Sequence, residues 1–198
     1  ALTNSIETSL RGVYGGLANF QHQEITADTY YLTFTAGPTI KFADSFSIAL
    51  GGRYISAEKN IDAYAVTAGI GELRGKYTEE ATGYGWVISA NFMPTDSLNL
   101  SVRYESEVAL EFKTEIDGAT NALGTAVLAG FSKTNGGIYD RDLPALLGAG
   151  LLFKPVDKLT FELSYTYYFE EQADLENHLS KEIDNSWEVG IGATYAFT

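Results

Sequence analysis

The sequence predicts an all-β fold, a transmembrane antiparallel up-and-down β-barrel, and three observations carry that prediction. Long stretches alternate between apolar and polar side chains. In 159–169, Leu159, Phe161, Leu163, Tyr165, Tyr167 and Phe169 fall on one side of an extended chain, and Thr160, Glu162, Ser164, Thr166 and Tyr168 on the other. Short turns repeat: aligning Asp44, Asp96 and Asp157 brings Ser45, Ser97 and Lys158 into register, then Phe46, Leu98 and Leu159, with Pro94 matching Pro155. Each short turn alternates with a much longer loop, as in a membrane barrel with short periplasmic turns and long extracellular loops.

Composition narrows the class further. The chain has 198 residues, long enough for one domain, but only 45% are hydrophobic. Net charge is −13, with 26 acidic residues, which argues against a basic patch for nucleic acid or anionic headgroups. Aromatics at 13% and 20 glycines favour strands and bends. No apolar run reaches the length of a membrane helix, which leaves open a barrel whose lipid-facing signal occupies every second residue. Cysteine is absent, so no disulfide framework shapes the fold.

Taken in order, 5–20 reads as a weak strand bent by its glycines. Tyr30, Leu32, Phe34, Ala36 and Ile40 form one face of the next strand, which turns at 43–45 and returns through Phe46, Ile48, Leu50, Gly52 and Tyr54. The polar, glycine-bearing stretch 60–80 reads as a loop. A second hairpin runs through Tyr84, Trp86, Ile88, Ala90 and Phe92, turns at 93–96, and returns through Leu98 as far as Phe112 on one unbroken face. A long loop, 114–141, precedes the third hairpin, Leu143–Phe153 and 159–169. A shorter loop to about Asp184 leads to a last strand carrying Trp187, Val189, Ile191, Ala193, Tyr195 and Phe197. The count is eight strands.

No reactive constellation stands out. Glu105, Glu107 and Glu111 share a strand face with Arg103 and Lys113, which reads as a polar, partly ion-paired lumen rather than an acid/base pair. His22 and His178 lie in separate loops without a second ligand at metal spacing, and the glycines of 12–16 lack the Lys-Ser/Thr of a phosphate loop. Asp140 and Asp142 lack the glycine and terminal glutamate of a calcium loop. Catalysis, a cofactor and a metal are therefore not expected. The aromatics Trp86, Trp187, Tyr165, Tyr167, Phe92, Phe153, Tyr195 and Phe197 concentrate toward strand ends, as girdles at two membrane surfaces do.

The run 84–108, with its Gly85-Trp86 opening, Pro94 turn and Arg103-Tyr104-Glu105-Ser106-Glu107-Val108 close, resembles the middle hairpin of the FadL-like long-chain fatty acid transporters of the outer membrane. The run from Asp142-Leu143-Pro144 to Phe169 is similar to that family's following hairpin, and the resemblance extends from about Phe34 to Thr198. It departs at Glu105, where the family has an arginine, reversing the charge of an inward position. The resemblance implies a fourteen-stranded barrel with an N-terminal plug, the hatch, that passively takes up fatty acids or related hydrophobes. On that basis 1–198 is a single but incomplete β-barrel domain, without the hatch and the C-terminal strands. Its partners are outer-membrane lipid and hydrophobic small molecules, not nucleic acid.

Hydrophobe capture is expected on the loop 114–141. There Leu123, Val127 and Leu128, at i, i+4 and i+5, share a helical face, and Phe131 follows, bracketed by Gly118 and Asn135-Gly136-Gly137. The alternative use of such a helix is to cap the barrel mouth. Two other classes compete with transport: a small eight-stranded structural or adhesive outer-membrane barrel with a side-chain-filled interior, and a soluble carbohydrate-binding sandwich with its apolar faces packed together.

Overall fold

The computed structural model describes residues 20–67, 71–130, 132–174 and 183–197. Ten strands occur among them: β1 Phe20–Ala36, β2 Thr39–Ala43, β3 Phe46–Thr67, β4 Gly71–Thr95, β5 Leu98–Glu105, β6 Glu111–Ile116, β7 Ile138–Asp140, β8 Leu146–Val156, β9 Leu159–Tyr168 and β10 Ser186–Tyr195. One helix, α1 (Ala122–Gly130), and a 3-10 turn at Glu170–Gln172 complete the order. The strands form one antiparallel path, β1-β3-β4-β5-β8-β9-β10, with β2 on β3 and β6 joining β4 to β7. Seven of the eight expected strands are present; the eighth, 5–20, lies outside the described residues.

The repeated turns are structural copies of one another. Each hairpin shifts register by one residue at the same place, between Lys41 and Ala43, Phe92 and Thr95, and Phe153 and Val156. The second residue of each turn then accepts a backbone hydrogen bond from the next hairpin: Ser45 from Met93 at 2.7 Å, Ser97 from Lys154 at 2.7 Å, Lys158 from Ala196 at 2.8 Å.

Two expectations need correction. The stretch 60–80 is not a loop, because β3 continues to Thr67 and β4 begins at Gly71. Its alternation had been masked because the outward positions change from apolar to polar while the inward ones stay buried, as the buried Ala65, Leu73, Tyr77 and Ala81 show. The return strand 98–112 is also not continuous. β5 stops at Glu105, 106–110 fold off the β4 ladder, and β6 resumes pairing further along β4, Glu80 opposite Lys113 and Tyr77 opposite Ile116. Val108, Leu110 and Phe112, expected on the lipid face, are fully buried instead.

The chain packs as two compact units. The first comprises Ala1–Tyr31, Ser56–Ala81 and Phe112–Tyr139; the second Leu32–Ile55, Thr82–Glu111 and Asp140–Thr198. In the first, Ala65 and Leu73 form a small core against which Leu123 and Val127 pack, and Phe112 stacks on Tyr139 with ring centroids 5.6 Å apart. In the second, Val108 and Leu110 press on β4 at Gly83. A Cβ there would lie 2.5 Å from both the Ala109 carbonyl oxygen and Val108 Cγ1, so only glycine admits the segment.

Candidate functional site

β4 shows how local sequence sets the chemistry of each surface. Its odd positions face inward throughout, from the buried Leu73 to the buried Val87. Its even positions read Glu72, Arg74, Lys76, Thr78, Glu80 and Thr82, then Tyr84, Trp86, Ile88, Ala90 and Phe92. The change occurs between Thr82 and Tyr84. β3 repeats it in the opposite chain direction, Phe46, Ile48, Leu50, Gly52 and Tyr54 giving way to Ser56, Glu58, Asn60 and Asp62. β1 does so too, with Glu24, Thr26 and Asp28 preceding Tyr30, Leu32 and Phe34. The apolar part of this face is bare: Leu32 is 71% exposed and Tyr84 78%. β10 matches it with Trp187, Val189 and an 84% exposed Ile191. Rings cluster where the face changes character, Tyr54 on Tyr84 and Trp86 on Tyr104, each 5.3 Å apart.

The opposite face of β5, β8, β9 and β10 is polar and low. The pairing places Ser101, Gly150, Ser164 and Gly190 in one row across four strands, between a row of Asn99, Leu152, Glu162 and Gly192 and a row of Arg103, Gly148, Thr166 and Glu188. The small row floors a trough of about 540 Å³. Buried Asn99 Oδ1 has no hydrogen-bond partner among the described residues.

Farther along this face, Glu105 sits between two guanidinium groups, Arg53 at 2.5 Å and Arg103 at 2.5 Å, with only 10% of its side chain exposed. The charge reversal at Glu105 thus has a partner on another strand, Arg53 of β3. The three glutamates expected on one face part company: Glu105 is ion-paired, Glu111 is exposed on β6, and Glu107 lies in the segment that leaves the ladder. Asp142 pins that segment. Its carboxylate accepts from the Leu110 amide at 2.9 Å and the Asp174 amide at 3.2 Å, while Val108 and Leu143 exchange backbone bonds. Burial pushes the Glu107 carboxyl above its usual range, and the charge and hydrogen bond of Asp142, then the charge of Asp174, push it further. Sequence reading missed this role for Asp142, because nothing in its local spacing announces the amides it meets.

In the first unit, α1 is fastened to β4 at both ends. Ahead of the helix, the Asn121 side chain accepts from Gly124 N at 2.8 Å and Arg74 N at 3.3 Å and donates to the Glu72 carbonyl at 2.9 Å. Behind it, Lys133 pairs at 2.9 Å with Glu79, whose side chain is wholly buried. Glu79 also pairs with Lys59 at 3.3 Å and accepts hydrogen bonds from Thr114 at 3.5 Å and from the Tyr139 hydroxyl. Burial would raise the Glu79 carboxyl, but Tyr139 and the ammonium groups of Lys133 and Lys59 overcome it and hold the group below its usual range. The expected site residues Leu123 and Val127 are half-buried on Ala65 and Leu73, and Leu128 is buried within van der Waals reach of Gly75. Phe131 lies outside the described residues, as does His178. Among the described residues no three His, Asp or Glu side chains gather at metal-holding distance.

No family model matches the chain, and no characterised protein sequence matches it. Solved structures do. A FadL homologue of Pseudomonas aeruginosa superposes with a TM-score of 0.57 at 16% identity, covering 87% of this chain and 47% of that one. The toluene transporter TbuX of Ralstonia pickettii superposes with a TM-score of 0.56 at 12% identity, covering 89% and 54%. The chain spans about half the length of the solved proteins it matches. At such low identity the likeness is one of backbone architecture, and on that ground the chain has the FadL-like β-barrel fold.

Proposed function

We propose that this chain forms part of the wall of an outer-membrane barrel that takes up hydrophobic compounds passively, long-chain fatty acids being the substrate class we favour. The observation that carries the membrane reading is the bare apolar face. On β4 it runs from Tyr84 to Phe92, and a barrel strand crosses hydrocarbon in about 9–11 tilted residues. Soluble monomers rarely expose apolar patches of more than a few hundred Å², and this face is bare on β1, β3, β4, β9 and β10 at once. The short turns at Asp44, Asp96 and Asp157 are then periplasmic, and α1 with the polar ends of β3 and β4 extracellular. Transport follows from kinship of fold with a protein whose name states toluene transport, and nothing in the chain proposes a reaction. Coverage of about half of each larger barrel favours an incomplete domain over a closed eight-stranded one.

Within this reading α1 is where a hydrophobe first leaves water: Leu123 and Val127, half-buried on Ala65 and Leu73, offer their remaining surface, Leu128 backs them from the interior, and Phe131 completes the proposed groove. The helix carries no acidic residue in its first turn and no basic one in its last, and each methylene that a ligand buries on it contributes about 0.8 kcal/mol. The deciding experiment is uptake by vesicles containing the full-length protein, offered oleate and toluene in parallel. Oleate uptake that falls on changing Leu128 and Phe131 to Ser in a folded barrel supports the reading. Toluene uptake alone moves the substrate class to neutral hydrocarbons, and uptake of neither ends it.

A further inference from the structure

We propose that the outward face of β1, β3 and β4, beyond the tyrosine boundary, carries a pocket for a sugar, and that the sugar belongs to the headgroup of the lipid surrounding the barrel. The inference rests on the membrane reading above. Glu24 and Thr26 of β1, Asp62 and Tyr64 of β3 and Arg74 of β4 line a pocket of about 280 Å³. All five stand at even positions, on the same strand faces as Tyr30, Tyr54 and Tyr84.

The chemistry suits a saccharide. Tyr64 offers a half-buried ring, with the imidazole of His22 centred 6.0 Å away, and a ring of that kind covers the apolar C–H face of a pyranose. Glu24 and Asp62 are acceptors for hydroxyls, the Thr26 hydroxyl both donates and accepts, and Arg74 presents a fork of donors, one of which reaches Asp62 at 3.4 Å. Carboxylate, guanidinium and aromatic ring around one small polar concavity match a polyhydroxylated ligand better than they match an acyl chain or bulk water.

Height identifies where the sugar comes from. The molecules that cover Tyr30 are lipids, and the same face of β1 continues beyond it through Asp28, Thr26 and Glu24. Within the first unit, the pocket residues Thr26 and Glu24 stand four and six residues beyond Tyr30. At about 3.3 Å per residue and a tilt near 45° that is roughly 9–14 Å above the apolar boundary. A phospholipid headgroup layer is only about 5–8 Å deep on each side. The occupant is therefore the tall headgroup of a saccharide-bearing lipid.

The test uses the full-length protein in detergent with purified lipopolysaccharide as the probe, bound glycolipid being counted by native mass spectrometry. Tyr64→Ala with Arg74→Gln removes ring and donors; Thr26→Trp fills the pocket from an exposed position and takes away no structural partner. Each is expected to weaken binding about tenfold, with Glu80→Gln, outward but outside the pocket, unchanged. Wild-type binding by both pocket variants overturns the site. Oligosaccharide freed of its acyl chains is expected to bind more weakly than the whole lipid, and equal affinity overturns the lipid source. Insertion into phosphatidylcholine vesicles is scored separately. Failure there overturns the membrane reading together with the pocket, whereas insertion without pocket-dependent glycolipid binding overturns the pocket alone.

Discussion

The two halves of β4 share a backbone conformation and differ in nearly everything else. From Leu73 to Ala81 its inward side chains are buried and its outward ones are polar or charged; from Tyr84 to Phe92 the outward ones are apolar and bare. The first half belongs to a unit stabilised as a water-soluble protein is, by an interior. The second presents its hydrophobic surface outward, and only a nonaqueous surrounding makes that favourable. The acids divide in the same way. Glu79 is held ionised by partners of opposite charge, while Glu107 is crowded by other carboxyls. A strand can therefore change its solvent without changing its geometry, and the signal lies in the identity of alternate residues.

The largest expected effect comes from breaking the interior of the first unit. Glu79→Ala leaves Lys59 and Lys133 without their shared carboxylate and is expected to cost about 3–5 kcal/mol, read as early protease cleavage within 112–139. Glu79→Met with Lys133→Met should recover most of it, and no recovery would mean that packing rather than charge holds α1. Next is the lipid face: Leu163→Arg on β9 should cost about 2–4 kcal/mol in refolding into bilayers, against about 0.5 kcal/mol or less for Thr78→Arg on the charged half of β4. Equal costs would erase the distinction between the halves. Gly83→Val, driven into Val108 and Leu110, should cost about 1–3 kcal/mol; at Gly52 a new Cβ meets nothing within 4 Å, and Gly52→Ala should be close to neutral.

The smallest effect is a pair of opposed pH responses. Because the folded value of Glu79 is depressed, its contribution is present above the unfolded value and is lost as pH falls through the folded one. Glu107 is raised, so its contribution is complete below the unfolded value and fades as pH rises through the folded one. Hydrogen exchange, corrected for its intrinsic pH dependence, should show 112–139 loosening as pH falls through the depressed Glu79 value and 106–110 loosening as pH rises through the raised Glu107 value. Parallel responses would contradict the assignment of the two acids.

What was legible in the sequence was whatever repeats. Hairpins, turns and the bare face all recur with period two or at equivalent turns, so Asp44, Asp96 and Asp157 located the sheet correctly. The polar halves of β3 and β4 look like loop in the sequence because their outward positions face water and carry no hydrophobic alternation. The break after Glu105 was illegible for a different reason. Val108, Leu110 and Phe112 keep the alternation, and only the long-range grip of Asp142 and the room above Gly83 turn them inward. For α1, the helix itself was foreseen from Leu123, Val127 and Leu128. Its anchors Asn121 and Glu79 are not legible, since they act across 47 residues to Arg74, 49 to Glu72 and 54 from Glu79 to Lys133.

The bulged turns bear on how such a wall is assembled. Closing a two-residue hairpin loop restricts little of the chain, whereas the tip contacts join residues 48, 57 and 38 apart, as Ser45 to Met93, Ser97 to Lys154 and Lys158 to Ala196 are spaced. Each tip offers the next hairpin one carbonyl in one place, Ser45 to Met93, Ser97 to Lys154, Lys158 to Ala196. A hairpin arriving one residue out of step would miss that carbonyl and would also turn its apolar face toward the lumen. The tips thus fix the register of each hairpin against the one before it.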